Sequence, residues 1–392
     1  VNALDRPAGH NCSIPQSILA LGALAVLGDL AKGRLADIDR SAVPHTEAPS
    51  LDPLYWLDYT DSAYALMEDD KMESAVMHFL DGCKREVAFK TTDDAGAEVI
   101  KYRKEKFNPK PSDVAEVYKL LAQLTHVEAG AIDPPFFLDR GTGKHKGLDA
   151  ANLIPCRNGL LDVTTGKLRA PTQQFFTRTA LKIDYDPKAE CPLFRKFLTE
   201  VLCDDGLTLL MQQWLGYLIT TDVSIQKFLY LQGKPRSGKG TISRIIDQLV
   251  GPDNVASHTL RDLAGGCGRE DLIGKSLLKF NDMNTSDKQA LNEAASIVNS
   301  ITGQDRLHIQ RKFKGAIDIV PKMHVKIGNQ FPDFGDHAAA IGARMIPIPF
   351  RVSFEGREDT KLTDKLLAEL PGILYFALAG LRDLREWAHP RR

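Results

Sequence analysis

The stretch at residues 227–246, KFLYLQGKPRSGKGTISRII, constrains the fold more than any other part of the chain. It begins with apolar residues in the manner of a buried strand, turns through GKPRSGKG, and leaves with apolar residues at helical spacing. Gly233, Lys234, Pro235, Arg236, Ser237, Gly238 and Lys239 fit the pattern G-x-x-x-x-G-K. Glycines let the backbone bend so that successive N–H groups converge on phosphate oxygens. The helix that follows adds its N-terminal dipole, and Lys239 adds a full positive charge. The plain alternative is a glycine turn without a ligand. The flanking strand and helix favour binding of a nucleoside triphosphate, with Gly233, Pro235, Arg236, Ser237, Gly238, Lys239, Gly240 and Thr241 lining the phosphates. The residue after Lys239 is Gly240, where a magnesium-ligating hydroxyl is usual; the hydroxyl comes one place later, at Thr241. The form SGKGT also resembles nucleoside monophosphate kinases, which keeps a kinase reading open.

A strand followed by this loop needs neighbours. The runs SLLKFND, MHVKIGN and ARMIPIPF supply three more candidate strands, and the alternation with helical stretches predicts a parallel α/β sheet. Asp282 ends the first run, about where an acid would hold Mg²⁺. Asn281 precedes it, where a second acid is common, so the general base is not identified. Asn329 ends the second run and could orient an attacking water. Arg344 opens the third and Arg351 follows it; an arginine reaching from one subunit into the next could stabilise transferring charge, with Arg344 favoured. In HIQRKFKGAIDI, residues 308–319, the basic Arg311, Lys312 and Lys314 flank Phe313 near an expected hairpin tip at Lys314-Gly315. That combination suits the backbone of single-stranded nucleic acid, and a solvated basic turn is the bland alternative.

The whole chain has 392 residues, a length for two or three domains, and its net charge of −1 excludes a wholly basic surface. Six cysteines without a C-x-x-C or metal-ligand spacing fit reduced thiols. The apolar run at residues 18–28 is too short for a bilayer and is expected as a core helix. The chain begins with Val1, so a preceding segment is expected. Helices are expected over 62–83, 112–127, 193–221 and 361–387, and short strands over 151–186. A hairpin is expected around Asp94-Ala95-Gly96. Two helices with a hairpin resemble a winged-helix arrangement.

Taken in order, the loop, Asp282, the basic hairpin, Asn329 and Arg344 resemble the motifs of superfamily 3 helicases. More closely, the chain resembles the primase–helicases of phages, plasmids and poxviruses. The phrases IPCRNGLLDVTTGKL, DYDPKAECPLFRKFL, GKPRSGKGT, NSITGQDRLHIQRKFKG, GNQFPDF and RMIPIPFRVSF carry this resemblance. It implies an AAA+-like ATPase core of α/β class over 193–352, preceded by an N-terminal helix and connector over 1–60. A helical or α+β collar domain over 61–192 and a C-terminal helical segment over 353–392 complete it. It implies ATP and Mg²⁺ as cofactors, with Lys239 on the triphosphate, Asp282 and Thr241 near the metal, Asn329 sensing the γ-phosphate and Arg344 acting in trans. It further implies Arg311, Lys312 and Lys314 on DNA, and a homo-oligomeric ring, usually a hexamer. The partners would be single-stranded and forked DNA and a primase–polymerase domain upstream or in trans, in the bacterial host cytoplasm, with no membrane. Gly240 and Asn281 depart from the pattern and keep a nucleotide-binding scaffold without turnover as an alternative.

Overall fold

The computed structural model describes residues 56–60, 62–94, 96–124, 134–138, 145–264, 266–280, 287–312, 314–328 and 338–388. The expected helix at 18–28 lies outside them. The chain forms two compact units, residues 1–59 with 65–131, and residues 60–64 with 132–392. The strands after residue 150 fall in the second unit, with the nucleotide loop.

The hairpin of β1 (Trp56–Thr60) and β2 (Ala63–Met67), whose residues 60–64 fall in the second unit, leads into α1 (Asp69–Asp81) of the first. The expected helix thus starts later than residue 62, because residues 63–67 pair as a strand. A ribbon of β3 (Lys84–Thr92) and β4 (Glu98–Lys106) follows, then α2 (Pro111–Leu124). Met72, Val76 and Leu80 recur at helical spacing on α1 and meet Val114, Val117 and Leu121 of α2, which makes a small core. The ribbon turn lies where expected. The Asp93 side chain accepts from Ala97 N at 2.8 Å, and Gly96 takes a positive φ of 78°.

The second unit opens with short strands: β5 (Phe136–Phe137), β6 (Leu153–Cys156), β7 (Gly159–Asp162), β8 (Lys167–Arg169) and β9 (Phe175–Phe176). Residues 178–186, expected as a strand, instead run beside β6 on isolated bonds. Leu181 N donates to Pro155 O and Arg157 N to Ile183 O, without a ladder. The expected helix at 193–221 is two helices, α3 (Pro192–Leu202) and α4 (Asp205–Leu218). Cys203 breaks it in the left-handed region at φ 52°, and Asp204 caps the second by accepting from Leu207 N.

The core is a five-stranded parallel sheet. Its strands are β10 (Phe228–Gly233), β11 (Val255–Ser257), β12 (Leu277–Phe280), β15 (His324–Gly328) and β16 (Met345–Phe350). Their spatial order is β11-β12-β15-β10-β16. The chain crosses from β10 to the far edge, walks back through β12 and β15, and then passes to the other side of β10. Helices α5 (Lys239–Val250), α6 (Leu260–Ala264), α7 (Lys288–Gly303) and α8 (Ala338–Arg344) connect these strands, and β13 (Leu307–Arg311) with β14 (Lys314–Ile319) forms a separate hairpin. The chain closes through α9 (Leu362–Leu367) and α10 (Leu370–Ala388). Glu369 accepts from Leu193 N and Phe194 N at 3.1 and 2.9 Å, so the C-terminal helices cap α3. Ile242, Ile245, Ile246 and Leu249 on one stripe of α5 bury against Leu229, Leu231 and Leu277 of the sheet.

Candidate nucleotide site

β10 is buried from Phe228 to Leu231, and its carboxyl end emerges as the glycine loop, where crevices of open α/β sheets bind ligands. Gly233 passes so close to β16 that a Cβ there would lie 2.4 Å from Phe350 O. Gly238 caps α5 in the left-handed region at φ 93°; a Cβ there would meet Val201 Cγ1 at 3.0 Å and Phe197 Cε2 at 3.2 Å. No side chain caps this helix, so the N–H groups of its first turn remain available to an anion.

Lys239 folds back over the loop. Its Nζ donates to Gly233 O and Lys234 O, both at 2.7 Å, and to Ser237 Oγ at 3.3 Å. The ammonium therefore sits in the concavity that phosphates would fill, and burial lowers its pKa from the ordinary value. These residues fit a polyphosphate: a cation, uncapped helix N–H groups and a backbone bend without side chains.

The outer face of the loop is held by the segment after β16. Ser353 Oγ donates to Pro235 O at 3.1 Å, Phe354 N donates to Arg236 O at 2.9 Å, and the Arg236 guanidinium lies 3.4 Å from Glu358. Arg236 itself adopts φ 58°. The loop is thus braced from outside, while its inner N–H groups stay unblocked.

Gly240 faces open space, for a Cβ there would meet only Arg244 Nη1 at 3.6 Å. Nothing steric demands glycine at that place. Thr241 leaves the helix about 100° further round, so its hydroxyl does not substitute directionally for one at 240.

Asp282 and Asn329 lie outside the described residues, as does Asn281. The strands before them end on the loop's edge of the sheet, with Phe280 level with Ile327 and Gly328 level with Leu231. Arg344 belongs elsewhere. It ends α8 just before β16, and the register pairs Met345 with Phe228 and Phe350 with Gly233. The six residues of β16, about 17 Å from Met345 to Phe350, separate it from the loop edge of its own chain. Its Nη1 donates to Ala340 O at 3.3 Å, and among the described residues its buried Nε has no hydrogen-bond partner. Arg351 follows β16 on the loop's edge and is exposed.

The basic hairpin exists, with a different turn. Arg311 pairs with Lys314, so the tip is residues 312–313 and not Lys314-Gly315; Phe313 lies outside the described residues. Arg311 is only 7% exposed and its Nε donates to Gly315 O at 2.6 Å. It braces the turn from inside and does not present its charge to a nucleic acid. Lys312 is exposed, and its backbone N donates to Glu270.

Sequence reasoning missed a charged cluster beneath α5. Lys326 of β15 is 1% exposed; its Nζ donates to Ser243 Oγ and lies 3.7 Å from Asp247. Lys279 of β12 reaches the same carboxylate at 2.6 Å. Burial pushes Lys326 down to about 8, against the attraction of Asp247. The cluster ties the strands leading to residues 282 and 329 to the helix that carries Lys239. Its signal was a lysine inside each of the apolar runs LLKF and HVKIG, where a lone charge needs a partner.

No helix of the described residues is long and apolar enough to cross a membrane. Among them no cluster of His, Cys, Asp and Glu could hold a metal ion, so the metal reading rests on Thr241 and the undescribed Asp282.

Among solved structures the chain is similar to the A form apo structure of the NrS-1 C terminal region. The TM-score is 0.41 and the identity 16%, covering 50% of this chain and 49% of that one. An apo structure of the same region gives a TM-score of 0.41 and 15% identity, over 50% of each chain. The chain spans about half the length of these solved chains. Residues 231–337 match a family of unknown function (DUF5906), a range that takes in Lys239, both undescribed candidates and the basic hairpin, and stops before Arg344. Residues 55–203 match the family described as D5 N terminal like, so the nucleotide loop follows a D5 N-terminal-like segment in this chain.

Proposed function

We propose that this chain is an ATP-driven DNA translocase of phage-type replication, the helicase part of a primase–helicase. The observation that carries the reading is the glycine loop at the carboxyl end of β10, with Lys239 held in its concavity and the helix behind it uncapped. The D5 N-terminal-like match over residues 55–203 supports the primase–helicase context. The sheet order supports an AAA+-like core, because it brings the strands before residues 282 and 329 beside β10.

In this reading the loop N–H groups and Lys239 hold the triphosphate. Asp282, with Thr241, would hold magnesium, which would supply charge neutralisation at the phosphates. Asn329 orients the attacking water. Arg344, separated from its own loop by the length of β16, about 17 Å, serves the site of a neighbouring subunit in a ring, a hexamer on the resemblance. Lys312 and Lys314 track the backbone of single-stranded DNA, and Arg311 holds their turn rigid. Neither the kinase nor the scaffold reading gains an observation of its own.

The test is unwinding of a forked duplex with ATP and Mg²⁺, on forks with a single 3′ or 5′ tail. Wild type should separate the strands, with the 3′-tailed fork preferred, and Lys239→Ala should not. Equal unwinding by Lys239→Ala would sink the reading.

A further inference from the structure

The β3–β4 ribbon has no task in the mechanism above. Its nine cross-strand pairs run from Lys84 opposite Lys106 to Thr92 opposite Glu98. At about 3.4 Å per residue each strand is roughly 30 Å long. No described residue of either strand is buried, and the core formed by α1 and α2 contains none of them. A bare two-stranded ribbon is marginal in water.

Its side chains are not those of a ribbon kept only for solubility. Tyr102 is 69% exposed and Ile100 62%, neighbours on one face of β4. Opposite Tyr102 is the small Ala88, which leaves the ring uncovered on that side. On the other face the Arg103 guanidinium lies 5.6 Å from the Phe89 ring. Around Tyr102 the sequence is KYRKEK, four basic residues against one acidic. The ends of the ribbon are neutralised, Lys90 by Glu98 at 3.0 Å and Lys106 by Asp81 at 2.8 Å. Among the described residues Lys101 and Lys104 have no ion-pair partner; Lys104 shares the face of Ile100 and Tyr102, across from Glu86, whereas Lys101 lies on the other face, across from Phe89. Lysines alone on an edge strand would be explained by protection against aggregation. An exposed tyrosine and isoleucine on the same edge defeat that purpose.

An aromatic ring with an unpaired cation two residues further along the same face suits a stacked base with its phosphate alongside. We propose that β4 binds single-stranded nucleic acid, with a base stacked on Tyr102 and a phosphate on Lys104. This contact is separate from the β13–β14 hairpin and does not need bound nucleotide. As a DNA contact it rests on the translocase reading, and the exposed ring favours an unpaired strand over duplex.

The test uses the full chain without nucleotide and a fluorescent oligo-dT, with oligo-U as a second arm and anisotropy as the readout. Tyr102→Ala should weaken binding about tenfold or more. Lys104→Gln should weaken it and lower the log–log salt slope by about 0.7. Both side chains are exposed, so circular dichroism should not change. Tighter oligo-dT than oligo-U assigns DNA; equal affinity assigns either strand, and both support the proposal. Wild-type affinity and salt slope in both variants would overturn it, as would a wild type that binds neither oligonucleotide. A Tyr102→Ala that changes only the oligomeric state would overturn it in favour of a protein interface. ATP turnover in the same samples separates the two readings. Weakened binding without wild-type turnover sinks the motor and keeps the ribbon, whereas DNA-stimulated turnover with unweakened variants does the reverse.

Discussion

Replacing Lys326 with Met should stabilise the second unit at neutral pH, which is the reverse of the usual effect of a core substitution. Lys326 is buried on β15, and burial brings its pKa from 10.5 to about 8. At 1.36 kcal/mol per pH decade, the charged form carries a penalty of about 3 kcal/mol. Methionine removes that penalty and nearly keeps the volume. Asp247 keeps Lys279 on its Oδ2 at 2.6 Å, so the carboxylate retains an ion pair while its Oδ1 loses Lys326 at 3.7 Å. The gain at pH 7, after loss of the Ser243 bond, should be about 1–3 kcal/mol. The pH dependence fixes the cause. The unfolded chain holds this proton up to about 10.5, while the native chain releases it near 8. Between those values the unfolded state binds more protons, so wild-type stability rises with pH; below 8 both states are protonated and the penalty is full. Relative to Lys326→Met, wild type should recover about 2 kcal/mol between pH 7 and pH 9.5. Urea unfolding at both pH values, followed by the fluorescence of Trp214, 2% exposed in this unit, measures it. A variant less stable than wild type by more than about 1 kcal/mol, with a gap that does not change with pH, would refute the reasoning.

Three substitutions probe the site itself. Gly240→Thr has room, and it should sharpen the magnesium dependence of nucleotide affinity and raise turnover several-fold; an unchanged magnesium titration would contradict the metal reading. Gly238→Ala should cost at least about 1–2 kcal/mol from its positive φ and abolish the melting-temperature increase that ATP produces, whereas a normal increase would show that the loop tolerates a side chain. Arg344→Ala should keep nucleotide binding and lose turnover, and mixing it with Lys239→Ala chains should restore part of the activity. No recovery on mixing would remove the neighbouring-subunit role.

The loop was legible because its chemistry is local. Two glycines and a lysine between an apolar run and a helical run dictate a bend, a charge and a helix terminus without reference to the rest of the chain. The runs LLKF, HVKIG and MIPIPF were legible as strands for the same reason. The order in which they pair was not, since it depends on crossovers through helices. Lys279 and Lys326 stand inside apolar strands, and only the packing of α5 over the sheet brings Asp247 to both. Arg311 misled because it stands beside the basic tip; it shares the buried face of Leu307 and Ile309, four and two residues back along β13. The helix expected from residue 62 began as a strand because YALM fits either period over so short a run.

The central claim is that nucleotide turnover at Lys239 serves movement on DNA. Steady-state ATP hydrolysis measured against rising single-stranded DNA, with Lys239→Ala and the Lys312→Ala, Lys314→Ala pair alongside, tests it most directly. The account predicts DNA-stimulated turnover, none in Lys239→Ala, and basal turnover with reduced stimulation in the hairpin pair. Turnover indifferent to DNA, or phosphoryl transfer that requires a nucleoside monophosphate, would contradict it.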